Sequence, residues 1–151
     1  MASIWFVGCG NMAGAMVEGW RKAGFDLSDA VAIRPSCTPV EGVRTVSTLP
    51  DGPAPRVVML GFKPQKLDEV APELAPRLGP DTVVLSLLAG AEAKSLRARF
   101  PQVRSVVRAM PNLPVSERMG VTALYSEDAD EALRGEIGSF IGLLGLAHWC
   151  S

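Results

Sequence analysis

Residue types that often indicate a specific chemistry are scarce in this chain of 151 residues. The three cysteines, Cys9, Cys37 and Cys150, form no metal-ligand spacing and cannot all pair within one chain. A reducing compartment is the simplest interpretation, so we expect a cytoplasmic protein. His148 is the only histidine, has no acidic residue close to it in sequence, and is interpreted as a core or edge residue rather than a catalytic acid. We therefore expect no metal site and no serine–histidine–acid arrangement.

Strong charge and long apolar runs are also missing. The net charge is -1 and no basic tract is present, so nothing predicts binding to nucleic acid or to an anionic membrane. No apolar run approaches the roughly 18 residues of a membrane helix, and the short N-terminal run lacks the preceding positive charge of a signal peptide. With 48% apolar residues, the composition is that of a globular protein, and we expect residues 1–151 to form one domain.

The first 15 residues contain the most informative local pattern. An apolar run at 4–7 stops at Gly8-Cys9-Gly10 and passes into a helix-like segment, which predicts a strand, a tight turn and a helix start. The spacing Gly8-x-Gly10-x-x-Ala13 matches the dinucleotide-binding fingerprint, in which the helix N-terminus holds a pyrophosphate. A glycine turn without any ligand is the alternative. The candidate phosphate-binding residues are Val7, Gly8, Cys9, Gly10, Asn11 and Met12.

Strand-like and helix-like segments alternate along the rest of the chain. This order predicts a Rossmann-like α/β fold with an open, mostly parallel, doubly wound sheet. The apolar stretch 143–150 is either a final strand packed on the core or an edge that meets something else. The predicted strands are 4–7, 31–34, 43–46, 57–60, 82–88, 103–108, 120–125 and 146–150, and the predicted helices are 12–23, 63–78, 91–100 and 128–143. Pro72 and Pro76 are expected to break or kink the end of the helix at 63–78, and residues 110–114 are predicted to be irregular because of their prolines.

The end of the second predicted strand bears on the choice of cofactor. An acidic residue there would select NAD by binding the adenosine ribose, but this chain has Arg34-Pro35-Ser36. Arg34 could pair with a 2′-phosphate and Ser36 could donate to it, which favours NADP, with NAD still possible. The alternative is that Arg34 is only a solvated loop residue.

Two further strand ends are predicted to meet at the same edge of the sheet, where ligands of open α/β sheets bind. Small residues there would let a nicotinamide ribose approach the backbone. Lys63 could hydrogen-bond a ribose or the substrate, although a loop lysine is usually just exposed. The candidate residues after these strands are Gly61, Phe62, Lys63, Pro64, Leu87, Leu88 and Ala89.

The segment Arg108-Ala-Met-Pro-Asn-Leu-Pro114 places Asn112 between two prolines. Prolines restrict the backbone on both sides, which suits a residue that orients a ring or a carboxylate. The alternative is a structural loop in which Asn112 caps nearby backbone.

Together these segments resemble the pyrroline-5-carboxylate reductase family. The matching stretches are 6–13, 63–65, 86–90, 108–115 and 120–124, and the Lys-Pro-Gln and Met-Pro-Asn segments are the specific ones. The resemblance implies NAD(P)H-dependent reduction of Δ1-pyrroline-5-carboxylate, a small-molecule substrate, to L-proline. It also implies that Asn112 faces the reacting ring as a catalytic residue, with Lys63 as the second catalytic candidate.

Three features depart from that family. Only residues 35–42 fill the place of its helix between the second and third strands, and Ser47, Thr48 or Leu49 replaces an Asn that it offers to the cofactor. Its helical C-terminal domain, which forms the dimer and much of the substrate pocket, is absent here. We therefore expect a homodimer or a second chain to complete the site. The alternatives are another NADP-dependent imine or β-hydroxyacid reductase and a non-catalytic nucleotide-binding module.

Overall fold

A computed structural model describes residues 3–150 of the chain. Within these residues, eight strands and four α-helices form the elements of a doubly wound fold, with no α-helix between β2 and β4 or between β6 and β7. The strands are β1 (Ile4–Val7), β2 (Ala30–Ile33), β3 (Arg44–Val46), β4 (Val57–Leu60), β5 (Val83–Ser86), β6 (Ser105–Met110), β7 (Gly120–Tyr125) and β8 (Gly145–Trp149). The helices are α1 (Asn11–Lys22), α2 (Leu67–Leu74), α3 (Ala93–Arg99) and α4 (Glu131–Gly142).

The strands form one sheet in the order β3-β2-β1-β4-β5-β6-β7-β8. All neighbours are parallel except β6 and β7, which are antiparallel, so the predicted mostly parallel sheet is confirmed. The order reverses between β1 and β4. In sheets of this type, the crevice at such a reversal is where ligands bind.

Two apolar layers cover the sheet. Residues of α1 and α4 pack on one face, where Trp20 stacks on Phe140 with ring centroids 4.2 Å apart. Residues of α2 and α3 pack on the other face. Strands β1, β2 and β4 are buried along their whole length because both faces are covered, which explains their continuous apolar sequences.

Two sequence predictions need correction. The helix predicted over 63–78 is divided into a 3₁₀ turn at Pro64–Lys66, helix α2 and a second 3₁₀ turn at Ala75–Arg77. Residues 110–114 are not all irregular, because β6 continues to Met110 and a 3₁₀ turn spans Leu113–Glu117, with a proline in its first turn. In both places proline begins short helical turns rather than preventing them.

The predicted last strand is confirmed as β8, which lies at the edge of the sheet and pairs in parallel with β7. Its alternate residues Ala147 and Trp149 pack against the core, whereas Leu146 is 63% exposed. His148 is exposed on the same strand, which makes it an edge residue. None of the helices within residues 3–150 combines the length and apolar character needed to cross a bilayer.

Candidate functional site

Backbone hydrogen bonds bring the predicted loops together at one edge of the sheet. The N–H of Gly8 donates to the carbonyl of Ile33 at 2.9 Å, and the N–H of Gly61 donates to the carbonyl of Val7 at 3.0 Å. The N–H of Leu87 in turn donates to the carbonyl of Leu60 at 3.0 Å. The ends of β2, β1, β4 and β5 therefore form a continuous row, centred on the reversal of strand order.

The turn after β1 requires glycine at its first position. Gly8 has a φ of +70°, and a Cβ there would lie 2.7 Å from the Cβ of Phe62. Gly61 is equally restricted, because its Cβ would lie 2.6 Å from the carbonyl oxygen of Gly8. The loops after β1 and β4 thus pack backbone against backbone, and the predicted sharp turn at Gly8 is present.

Gly10 differs from these two glycines. A Cβ at Gly10 would meet only the carbonyl oxygen of Gly61, at 3.5 Å, which is ordinary contact, and the residue is exposed. No packing within residues 3–150 demands glycine here. The N-terminus of α1 follows Gly10 and has no side-chain cap, so its first amides are available to an acceptor. A helix N-terminus that has no side chain at its N-cap residue and no side-chain cap fits the phosphates of a dinucleotide.

A cavity of about 850 Å³ opens on one side of this turn. Its walls combine ends of β1, β2 and β3 with the exposed face of α2. The predicted residues Val7, Gly8 and Phe62 contribute to it, together with Ile33, Pro35, Ser47, Thr48, Leu49, Lys66, Glu69, Val70 and Glu73. Sequence reasoning missed the α2 residues, because charged residues on a short helix have no local signal that distinguishes them from a solvated face.

A second cavity of about 390 Å³ lies on the other side of the turn, between α1 and the loop after β2. Cys9, Gly10, Asn11 and Arg34 line it. Arg34 and Pro35, neighbours in the turn after β2, therefore contribute to different cavities. Burial raises the pKa of the Cys9 thiol, and the positive charge of Arg34 offsets part of that rise. Burial of the Cys9 side chain suits a packing role rather than that of a nucleophile.

Arg34 and Ser36 lie on the same turn. One guanidinium nitrogen of Arg34 donates to the carbonyl of Thr38 at 3.1 Å. The hydroxyl oxygen of Ser36 accepts the hydroxyl proton of Thr38 at 2.9 Å and its N–H at 3.3 Å. The loop has no helix, as expected for residues 35–42, and is held instead by turns and a bridge between Val40 and Val43.

The candidates after β4 and β5 present different groups. Lys63 and Pro64 are exposed, and the carbonyl of Lys63 accepts the N–H of Lys66 as the 3₁₀ turn begins. Ala89 is exposed, but the side chain of Leu88 is buried among the apolar residues beneath α2 and α3. Leu88 can thus offer only backbone groups to a ligand.

Asn112 follows β6 on an exposed loop. Its side-chain oxygen accepts the N–H of Val121 at 3.0 Å, and its backbone carbonyl accepts the N–H of Val115 at 3.3 Å. The alternative prediction, that Asn112 caps nearby backbone, describes this geometry. This bond uses only the oxygen of the amide, so the nitrogen of the exposed Asn112 remains a potential donor.

Exposed apolar side chains gather beside Asn112. Met110, at the end of β6, is 50% exposed, Val121 is 49% exposed, and Leu146, opposite Val121 in the β7–β8 register, is 63% exposed. Met119, just before β7, is 76% exposed. We call these four residues the apolar corner. Sequence analysis did not predict it, because the residues are scattered over three strands and a turn.

Residues 3–90, more than half of the chain, match the family model described as NADP oxidoreductase coenzyme F420-dependent. The chain belongs to this family. The matched residues therefore include β1 to β5 and the loops after β1, β2, β4 and β5 that form the row described above.

Relatives and solved structures extend the similarity to the rest of the chain. A pyrroline-5-carboxylate reductase of Pseudomonas aeruginosa is 34% identical over 97% of this chain and 56% of its own length. A pyrroline-5-carboxylate reductase structure from Coxiella burnetii has a TM-score of 0.88 at 30% identity, over 99% of this chain and 59% of that one. The Plasmodium falciparum enzyme, solved with NADP bound, has a TM-score of 0.84 at 17% identity and shows the fold alone. The predicted resemblance is confirmed, and the chain spans little more than half the length of these proteins.

Proposed function

We propose that residues 1–151 form the NADPH-binding domain of a reductase that converts Δ1-pyrroline-5-carboxylate to L-proline. The observation that carries this proposal is the uncapped start of α1 at Gly10, placed at the reversal of strand order. Similarity to pyrroline-5-carboxylate reductases supports the choice of reaction. NADP, with NAD as a weaker possibility, is the cofactor that the family description and Arg34 favour.

The cofactor would lie across the row of strand ends. The amides from Gly8 to Met12 would hold its pyrophosphate, with the adenosine in the 850 Å³ cavity. Its 2′-phosphate would be directed across the turn toward Arg34, which lines the neighbouring cavity, and toward Ser36 on the same loop. Backbone groups of 61–64 and 87–89 would line the nicotinamide ribose. These assignments rest on the row of backbone hydrogen bonds that brings the four strand ends together.

When bound, NADPH would supply the hydride that reduces the imine carbon. The chain's own residues have mainly to position the reacting pair, because a protonated cyclic imine is already an electrophile. Asn112 presents a fixed amide nitrogen as a donor, which suits an oxygen acceptor at this edge. Lys63 adds an exposed positive charge that suits the anionic substrate.

Titration with NADPH tests the cofactor site. Gly10→Ala adds a methyl group that the protein itself accommodates but that would occupy the space of the phosphates. We expect the affinity for NADPH to fall by on the order of tenfold or more, with the melting temperature unchanged. Gly135→Ala, at an open helical position in α4, is the matched control. Equal affinities of both variants and the wild type would exclude this binding site.

We also propose that the substrate side of the site is completed by protein that covers the apolar corner. Grouped exposed apolar residues are typical of an interaction site; here Val121 pairs with Leu146 across β7 and β8, and its N–H donates to Asn112. The covering protein would be a second copy of this chain or a different chain.

Sedimentation experiments test the homodimer. Leu146→Glu should abolish self-association if a second copy covers the apolar corner, whereas wild-type protein that stays monomeric would exclude the homodimer. A cytoplasmic location suits three unpaired thiols, none of which is in a disulfide within residues 3–150.

A further inference from the structure

Val115 is enclosed by two glycines from different elements. A Cβ at Gly19, in α1, would lie 2.3 Å from the carbonyl oxygen of Val115 and 2.7 Å from a methyl group of Leu144. A Cβ at Gly120, in β7, would lie 2.4 Å from a methyl group of Val115. Val115 is completely buried. The 3₁₀ turn that contains Val115 therefore packs so closely on α1 that only glycine fits at position 19.

Backbone conformation is not the reason for these glycines. Neither Gly19, inside a helix, nor Gly120, inside a strand, has a positive φ. Glycine in a helix interior costs stability relative to alanine, so its presence at Gly19 is explained by the contact with Val115. A third close approach extends the cluster, because a Cβ at Gly145 would lie 2.1 Å from the carbonyl oxygen of Gly120.

The same contact connects the two halves of the candidate site. Helix α1 offers its N-terminus to the phosphates, and Gly19 lies about two turns further along that helix. Val115 is three residues after Asn112, and its N–H donates to the carbonyl of Asn112. An ion pair of 2.8 Å between Lys22 and Glu117 is a second link between α1 and the turn. The position of Asn112 relative to the phosphate site is thus determined by a rigid packing contact.

We infer that Gly19 is a positioning residue, which sets the distance between the phosphate-binding end of α1 and the Asn112 loop and so aligns the nicotinamide end of the cofactor. This inference rests on the proposed function. It concerns the nicotinamide half only, because the start of α1 does not depend on Val115. A change at Gly19 should therefore affect the two halves of the cofactor differently.

The test compares NADPH with 2′-phospho-ADP-ribose, which has the same phosphates but no nicotinamide ring. In Gly19→Ala the carbonyl of Val115 must move by more than half an ångström, and displacements of that size weaken oriented contacts. We expect the affinity for NADPH to fall by on the order of tenfold, while that for 2′-phospho-ADP-ribose stays within about twofold of the wild type. Gly135→Ala, the same substitution at an open helical position, should change neither affinity.

A parallel fall of both affinities, or no difference from Gly135→Ala, would overturn the inference. Failure of the wild type to bind either ligand would instead refute the proposed cofactor site. If Gly19→Ala does not fold, Glu117→Gln provides the test, because both partners of its ion pair are exposed. In Glu117→Gln the affinity for NADPH alone should fall, by about two- to threefold, because an exposed ion pair contributes little. Unchanged affinities for both ligands would contradict the inference.

Discussion

The side-chain oxygen of Asn112 accepts the backbone N–H of Val121 at 3.0 Å. This bond joins the loop after β6 to the start of β7 and uses only the oxygen of the amide, so the nitrogen of the exposed Asn112 remains a potential donor. The capping role and the proposed ligand role of Asn112 are therefore compatible, because they use different atoms of one amide.

Two substitutions at Asn112 separate these roles. Asn112→Asp keeps an oxygen for the Val121 N–H but replaces the donor by an acceptor, so stability should be retained while NADPH oxidation with the cyclic imine is lost. Asn112→Ala removes both groups and should lower the free energy of unfolding by about 0.5–1 kcal/mol. Urea denaturation and an absorbance assay of NADPH measure the two effects. Full activity of Asn112→Asp would contradict the donor role.

Arg34→Ala tests the preference for NADP. If the guanidinium pairs with the 2′-phosphate, the affinity for NADPH should fall by on the order of tenfold, as expected for a charge-assisted hydrogen bond, while that for NADH stays constant. Arg44→Ala is the control. Arg44 is the first residue of β3 and pairs with Val31 near the start of β2, whereas Arg34 follows the end of β2. Fluorescence titration of both coenzymes measures the change. A loss that is equal for both coenzymes would place Arg34 near the pyrophosphate instead.

Gly8→Ala should destabilise the protein rather than only weaken binding. Its φ of +70° disfavours alanine, and its Cβ would lie 2.7 Å from that of Phe62. Each source of strain is of order 1–3 kcal/mol, so we expect a loss of about 2 kcal/mol or more in the free energy of unfolding. Chemical denaturation compares this variant with Gly10→Ala, which should keep wild-type stability. Similar stabilities of the two variants would be inconsistent with the packing between the loops after β1 and β4.

Acid should destabilise the fold in part through Asp128. Burial raises the pKa of this carboxyl, but hydrogen bonds from Ser105, Arg97, the Val106 N–H and Ser126 together lower it below its ordinary value. Because the folded-state pKa is depressed, the stabilisation is present above the unfolded pKa of about 4 and is lost as the pH falls through the folded value. Asp128→Asn should reduce stability at pH 7 and flatten its dependence on pH in the acid range.

Unfolding in urea between pH 2 and pH 7 measures this dependence. Asp51→Asn is the control, because the Asp51 side chain is fully exposed and its distance to Arg77 is 3.8 Å. A pH profile of Asp128→Asn that parallels the wild type would show that the network around Asp128 contributes no proton-linked stability.

Much of the fold could be predicted from local sequence. The bounds of β1, β4 and β7 coincide with the predicted ones, because apolar or alternating runs that end at glycine or polar residues have one strong interpretation. The break near Pro76 was also predictable from the proline itself, since a 3₁₀ turn replaces the α-helix there. Local sequence did not predict that Pro72 would lie inside α2, a helix whose Leu67, Ala71 and Leu74 are buried.

By itself the sequence determined the order of strands and helices, the glycine turn at Gly8 and the resemblance to pyrroline-5-carboxylate reductases, since these depend on local conformational preference, spacing and short motifs. Only the tertiary structure decided that Arg34 and Pro35 line different cavities and that α2 forms a wall of the larger one. The tertiary structure also determined that the residues of the apolar corner are exposed and that Val115 packs against Gly19. These features join residues far apart in the chain, and such contacts depend on how the elements pack rather than on any single segment.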